Sequence, residues 1–230
     1  MCGRYTYYSS AEIVHAYGFT PKVDKQTKLA LELEDNYNVS PGQQMPVILR
    51  GEQEHRIELM TWGLIPSWSR EPHTALMLIN ARRESLFDKT MWKRLIGTKR
   101  CIVPARGFYE WKTVESGKKQ PYYMSPLNDI VLSFAGLWDE WSDNQGNSIK
   151  TYTIITTSPN KEMATVHNRM PALLTREQMN VWLSPEALSQ ELIDELLLKP
   201  KDDQLKITKV STAVNNAQHN SKELIYPLHD

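Results

Sequence analysis

A chain of 230 residues is long enough for one large domain or two small ones, and 40% hydrophobic with 23% charged residues is ordinary for a globular fold. That composition excludes a disordered or fibrous chain. The 27 basic and 27 acidic residues cancel, so no global field draws the protein to nucleic acid or membrane, and any polyanion site must be a local cluster of Arg or Lys.

Residues 9–18, SSAEIVHAYG, read as a capped helix with Ser9 or Ser10 at its start and Gly18 as its stop. The polar stretch 21–36 reads as a surface loop or a ragged helix. MPVILRG and HRIELMTWGLIP follow as two strands turning near Gly51. ARRESLFDKTMWKRLIG spaces Leu86, Phe87, Met91, Leu95 and Ile96 as a helix, opened by Arg82 and Arg83 and ended by Gly97. RCIVPARGFYEWK, QPYYMSP, DIVLSFAGLWDEW and KTYTIITTSP are strands, punctuated by Pro, Gly and the Asn-Gln-Gly-Asn turn. Two helices come next, TREQMNVWLS capped by Thr175 and PEALSQELIDELLL with Pro185 in its first turn. A last strand near LKITKVS precedes a polar tail containing NNAQHN. Strands and helices mix without regular βαβ alternation. The expected fold class is therefore α+β, one domain over residues 1–230, with a curved, largely antiparallel, barrel-like sheet and flanking helices.

The two cysteines, Cys2 and Cys101, make no disulfide framework. The first twenty residues hold Arg4, Glu12 and His15 with no apolar run, and nowhere does a run approach a membrane span. A reduced, intracellular, cytoplasmic protein without a membrane partner is expected. No zinc-type spacing, Walker motif, GxGxxG or GxSxG occurs, so no metal or cofactor is indicated.

Four stretches place polar residues in apolar or rigid company. In MCGRY, Cys2 becomes the N-terminus if Met1 is removed, and it then carries an α-amine and a thiol on adjacent carbons. In LINARRES, Asn80 either satisfies backbone groups at a strand-to-helix junction or serves a site. Arg82 and Arg83 at a helix start would oppose its dipole unless they meet an anion. In GFYEW, Glu110 either alternates toward water or is desolvated between Tyr109 and Trp111, which suits a carboxyl to proton transfer. In VHNRMP, His167 is either a satisfied core histidine or a proton shuttle, with Arg169 close by for an anionic substrate. In WGLIPSW, Trp62 reads as core, whereas Trp68, beyond Pro66, is a candidate exposed ring on which single-stranded nucleic acid could stack.

The motifs MCGRY, YNVSP, WGLIPSW, INAR, RCIVPARGFYEW, FAGLWDEW, VHNRMP and ELIYP follow one another from Cys2 to Pro227. This ordered set resembles the SOS-response-associated peptidase (SRAP) family of abasic-site-processing proteins. The resemblance implies a SRAP-type peptidase and DNA cross-linking or lyase-like enzyme, acting on abasic sites in single-stranded DNA and at its junctions with duplex, as a DNA-associated monomer. It implies Cys2 as the N-terminal nucleophile, with Asn80, Glu110 and His167 as active-site residues. It implies phosphate contacts by Arg4, Arg82 and Arg169, and a DNA-contacting surface at Asn38, Pro41 and Trp68. Many members carry a second aromatic where this chain has Ser69, which weakens the expected wedge against a neighbouring base. Two alternatives fit parts of the sequence: an N-terminal-nucleophile amidohydrolase, which MCG alone would suit, and a non-catalytic reader of modified bases with Cys2 idle.

Overall fold

A computed structural model of the chain describes residues 2–18, 25–51, 55–70, 77–128 and 131–228. In chain order these form β1 (Arg4–Tyr7), α1 (Ser10–Tyr17), α2 (Lys25–Leu31), β2 (Asn36–Val39), β3 (Gln44–Arg50), β4 (His55–Trp62), β5 (Asn80–Arg82), α3 (Thr90–Thr98), β6 (Arg100–Ala105) and β7 (Gly107–Thr113). They continue as β8 (Lys119–Pro126), β9 (Leu132–Ser142), β10 (Ser148–Thr157), β11 (Met170–Pro171), α4 (Arg176–Trp182), α5 (Gln190–Leu196) and β12 (Leu205–Lys209).

The hairpin expected from MPVILRG and HRIELMTW is β3–β4, antiparallel from Gln44 opposite Thr61 to Arg50 opposite His55. It is part of a closed ring. β4, β3, β6, β9 and β10 pair in that order, and β10 returns to β4 as the single parallel contact of the ring. Closure removes the edges that an open sheet would expose. Gly136 makes one tight crossing possible. A Cβ there would stand 2.8 Å from Cys101 Sγ and 3.0 Å from Thr153 O, so β6, β9 and β10 approach this closely only around a glycine.

The second sheet runs β12–β8–β7–β1–β2. RCIVPARGFYEWK, expected as one strand, is two: β6 belongs to the barrel and β7 to this sheet, with Arg106 N donating to Thr6 O at 2.8 Å at the crossover. Gly107 lets β7 lie against β8, since a Cβ would meet Met124 O at 2.5 Å. Aromatic rings join the two layers: Tyr5 packs on Trp62 at 5.2 Å and its hydroxyl bonds Tyr152 Oη at 2.7 Å. One hydrophobic cluster runs through both layers from Cys2 to Leu205. Among the described residues, no helix is long and apolar enough to cross a membrane.

The helix expected at 9–18 forms as α1, stopped by Gly18 at φ 63° with its N–H on Val14 O and His15 O. Ser9 takes its N-cap position without a side-chain cap bond. Part of the stretch 21–36 is α2, while residues 19–24 lie outside the described residues. Thr175 caps α4 in a full capping box with Gln178.

Two helix expectations need correction. No α-helix covers residues 81–89: β5 pairs in parallel with β10, Asn80 beside Ile154 and Arg82 beside Thr156, and Arg83–Ser85 makes only a single 3-10 turn. Tertiary pairing overrides the helical spacing, and α3 starts at Thr90 and runs through Gly97 to Thr98. Arg82 and Arg83 therefore open this short 3-10 turn and not the expected α-helix. Pro185 also lies outside a helix. The buried Arg100 guanidinium takes the carbonyls of Trp182 at 2.6 Å, Ser184 at 2.6 Å and Glu186 at 3.1 Å, together with Ile96 at 2.7 Å and Gly97 at 3.1 Å from α3. Carbonyls turned to Arg100 cannot continue an i to i+4 ladder, so α5 restarts at Ser189, whose hydroxyl accepts from Leu192 N at 3.2 Å.

Candidate functional site

Three pairings bring distant segments to one place. β1 runs antiparallel to β7 with Arg4 opposite Tyr109, which carries residue 2 along β7 toward Glu110 and Trp111. β5 on β10 brings Asn80 to the same end of the barrel. β11 on β10, Met170 opposite Thr157, delivers His167 just before it.

Cys2 is buried, its thiol directed at Arg4 O at 3.7 Å. Asn80 Nδ2 donates to Cys2 O at 2.8 Å, which pins the backbone of residue 2. Asn80 Oδ1 is buried and, among the described residues, meets no hydrogen-bond donor. An orphaned acceptor beside an anchored cysteine is a place for a donor to arrive.

Glu110 is 3% exposed, so it does not alternate toward water. Burial pushes its carboxyl above the usual range, against a smaller opposing pull from His167. Its Oε2 lies 4.0 Å from His167 Nε2. The Arg169 amide nitrogen lies 3.1 Å from His167 Nδ1. The same Nδ1 lies 3.2 Å from Arg169 O, so it either accepts from the amide, which leaves the proton of the neutral ring on Nε2 facing Glu110, or donates to the carbonyl. Burial, and then the Glu110 charge, push the Cys2 thiol far up, so it stays protonated. Cys101 is a core thiol in the barrel wall, pushed up by burial alone.

The expected phosphate and DNA residues divide. Arg82 is exposed at the end of β5, and its guanidinium makes no hydrogen bond among the described residues. Arg169 is clamped: its guanidinium forms a bidentate pair with Glu84, at 2.7 and 2.9 Å, and also donates to Thr156 O. Burial alone would raise the Glu84 carboxyl, but the Arg169 bond, a bond from its own backbone N–H and the charges of Arg169 and Arg83 together hold the group below its ordinary value. Trp68 is 56% exposed, as expected. Pro41 is half-buried in the turn closed by Gln43 N on Ser40 O at 3.2 Å, with Gly42 at φ 89°. That is the type II pattern, which needs glycine third.

Arg4 and Asn38 are occupied elsewhere. Asn38 is 1% exposed, and its Nδ2 donates to Val214 O, Asn216 O and His219 O at 3.2, 2.9 and 2.9 Å. Its Oδ1 accepts from Arg4 Nη1 at 2.8 Å, and the same nitrogen donates to Val214 O at 2.8 Å. The amide of Asn38 is used up on the C-terminal segment, so it holds no free group for DNA. NNAQHN, a polar tail by composition, is a strap across the second sheet, where Asn215 Oδ1 also accepts Trp111 Nε1 at 2.8 Å. Glu84, Arg94 and Asp139 were not anticipated as parts of the surroundings. Glu84 sits two residues beyond Arg82, and Asp139 is a carboxylate that directly follows the apolar run of β9; both were visible signals.

The fold and site define a β-barrel protein with an N-proximal cysteine held against an Asn, a Glu and a His drawn from three other segments. The chain belongs to the SOS response associated peptidase (SRAP) family, whose pattern matches residues 1–217. It is 36% identical over 226 residues to the abasic site processing protein YoaM of Bacillus subtilis, covering 98% of this chain and 97% of that protein. It is 34% identical to the abasic site processing protein HMCES of Xenopus tropicalis over 83% of this chain and 65% of that longer protein. A crystal structure of a protein from Bacteroides thetaiotaomicron superposes with a TM-score of 0.88 at 28% identity, over 99% of this chain and all of the other.

Proposed function

We propose that this protein processes abasic sites in single-stranded DNA by linking Cys2 to the lesion after Met1 has been removed. The hydrogen bond from Asn80 to the Cys2 carbonyl, beside the buried Glu110–His167 pair, is the observation that carries this reading. An abasic sugar opens to an aldehyde at C1′. The α-amine of Cys2, with an ordinary pKa of about 8, attacks as the free base and gives a carbinolamine. Loss of water leaves an imine. The thiol sulfur then bonds the imine carbon, its proton passes to the nitrogen, and a five-membered thiazolidine closes. Effective molarities of about 10⁵ M for a held group favour the ring over the open imine.

Glu110, with its raised pKa, keeps a proton to higher pH than an exposed carboxyl and gives it to the departing hydroxyl. His167 Nε2 exchanges protons with Glu110 and with the sugar oxygen. Asn80 holds residue 2 through its Nδ2 and offers Oδ1 to a hydroxyl of the sugar. Arg82 and Arg169 bind the flanking phosphates, the latter by exchanging Glu84 for a phosphate oxygen. Pro41 and Trp68 meet the bases or the junction with duplex. Arg4 and Asn38 serve this site from behind, by fixing the start of β1. On this reading the protein works as a DNA-associated monomer. The test is a denaturing gel of abasic single-stranded DNA mixed with Met-free protein: a shifted band should survive heating. Cys2→Ala, or one extra residue ahead of Cys2, should abolish that band; a band that persists in Cys2→Ala overturns the proposal.

A further inference from the structure

The turn that carries Trp68 is built from below. Ile65 N donates to Thr151 Oγ1 at 2.9 Å, Ser67 N to Asp139 Oδ2 at 2.9 Å, and Trp141 Nε1 to Ser69 O at 2.7 Å. Every second residue from 65 to 69 is thus tied to a side chain of β9 or β10, and Ser69 N closes the turn on Pro66 O at 2.9 Å. Asp139 is buried, which a carboxylate tolerates only when its lone pairs are used. It uses them on Ser67 N, on Glu140 N at 3.0 Å, and on the Arg94 guanidinium. The Arg94 guanidinium carbon in turn lies 5.3 Å from the centre of the Trp68 ring.

A buried carboxylate, a cation and three tethers therefore hold still a large ring that remains more than half exposed. Leaving such a ring in water opposes the hydrophobic effect, and fixing it beforehand removes part of the ordering loss on binding. A flat π face backed by a cation suits another planar π system, and any unstacked nucleobase offers one. Arg94 is a poor phosphate ligand here, because Asp139, buried and held by the Ser67 and Glu140 amides, cannot swing away from it as the exposed Glu84 can from Arg169.

We propose that Asp139 and Arg94 are a positioning pair that presents Trp68 to an unstacked nucleobase, with Arg94 acting through the ring and not by touching a phosphate. This rests on the DNA-binding part of the function proposed above, but not on the covalent step. The experiment measures non-covalent binding of Cys2→Ala protein to fluorescent single-stranded DNA carrying a tetrahydrofuran abasic analogue, by anisotropy over a range of salt. Trp68→Ala should weaken binding about tenfold or more, in the range of one lost base stack. Arg94→Gln, whose amide can still donate to Asp139, should weaken it several-fold without changing the salt slope, and should add nothing in the Trp68→Ala background. Asp139→Asn, which keeps an acceptor for Ser67 N, should match Arg94→Gln. Equal losses from Arg94→Gln in both backgrounds, or a salt slope reduced by about one, which marks a direct phosphate contact, would overturn the proposal. Failure of the Cys2→Ala protein to bind the DNA at all would overturn it together with the function. The expected coupling, alongside no heat-stable adduct from wild type, would support the pair and remove only the cross-linking chemistry.

Discussion

Replacing Asn38 with Ala separates two roles for this residue: contact with DNA, or support of the site from behind. The amide gives its two protons to three carbonyls of the C-terminal strap and accepts one charge-assisted bond from Arg4. A neutral hydrogen bond contributes about 0.5–1.5 kcal/mol net and one to a charged group about 1.5–3 kcal/mol. Water can reach part of the strap after truncation, so the expected loss is about 3 kcal/mol. For a chain of this size, each kcal/mol lowers Tm by roughly 2–4 °C, and calorimetry should show a drop of about 6–12 °C. Asn38→Asp, which keeps an acceptor for Arg4 but turns a carboxylate oxygen toward three carbonyl oxygens, should lose at least as much. Because Arg4 sits two residues from Cys2, the adduct-forming rate of Asn38→Ala should fall as well, and more steeply on warming. A Tm within 2 °C of wild type with markedly weaker DNA binding would refute the supporting role and return Asn38 to the DNA surface.

Other perturbations follow from the same geometry. Cys2→Ser should still form an imine, trapped by borohydride, but no heat-stable adduct; a heat-stable Cys2→Ser product would count against ring closure by sulfur. Glu110→Gln should slow adduct formation about 10²- to 10⁴-fold, the usual worth of a positioned proton carrier. The same change should affect stability with a definite sign. The folded Glu110 carboxyl is raised by burial, so the folded state binds its proton more tightly than the unfolded chain does. Its favourable contribution is fully present below the unfolded pKa of about 4.3 and is lost as pH rises through the folded value. Glu110→Gln should therefore be more stable than wild type at pH 7 and lose that advantage toward pH 4; an advantage that grows on acidification would contradict the burial argument. Thr175→Ala removes one side of the α4 capping box and should cost about 1 kcal/mol, read as a Tm drop of roughly 2–4 °C with the rate of adduct formation unchanged.

The strands were legible wherever alternation and turn residues agreed, as in β3–β4 and in β8 through β10. The helix assigned to residues 81–97 was half wrong because the spacing of Leu86, Phe87 and Met91 cannot report that Asn80–Arg82 pair with β10, a contact across more than seventy residues of sequence. The break before α5 was hidden for a similar reason, since its cause is Arg100, a residue eighty positions upstream. At the site, Cys2, Asn80, Glu110 and His167 were each ambiguous alone. Burial shows that Glu110 does not face water, and the bond from Asn80 to Cys2 gave that amide an occupation besides capping. Asn38 is the opposite case. Its place in YNVSP marked it for attention, but only the fold reveals that its partners are the carbonyls of a tail 176 to 181 residues further on.

Intact-mass spectrometry of the purified protein, mixed with abasic single-stranded DNA, heat-denatured and never reduced, tests thiazolidine formation most directly. The expected species is the Met-free protein plus the DNA minus one water, absent when Cys2 is replaced by Ala. Met-free protein incubated with reactive abasic DNA that yields only the two unlinked masses would contradict it.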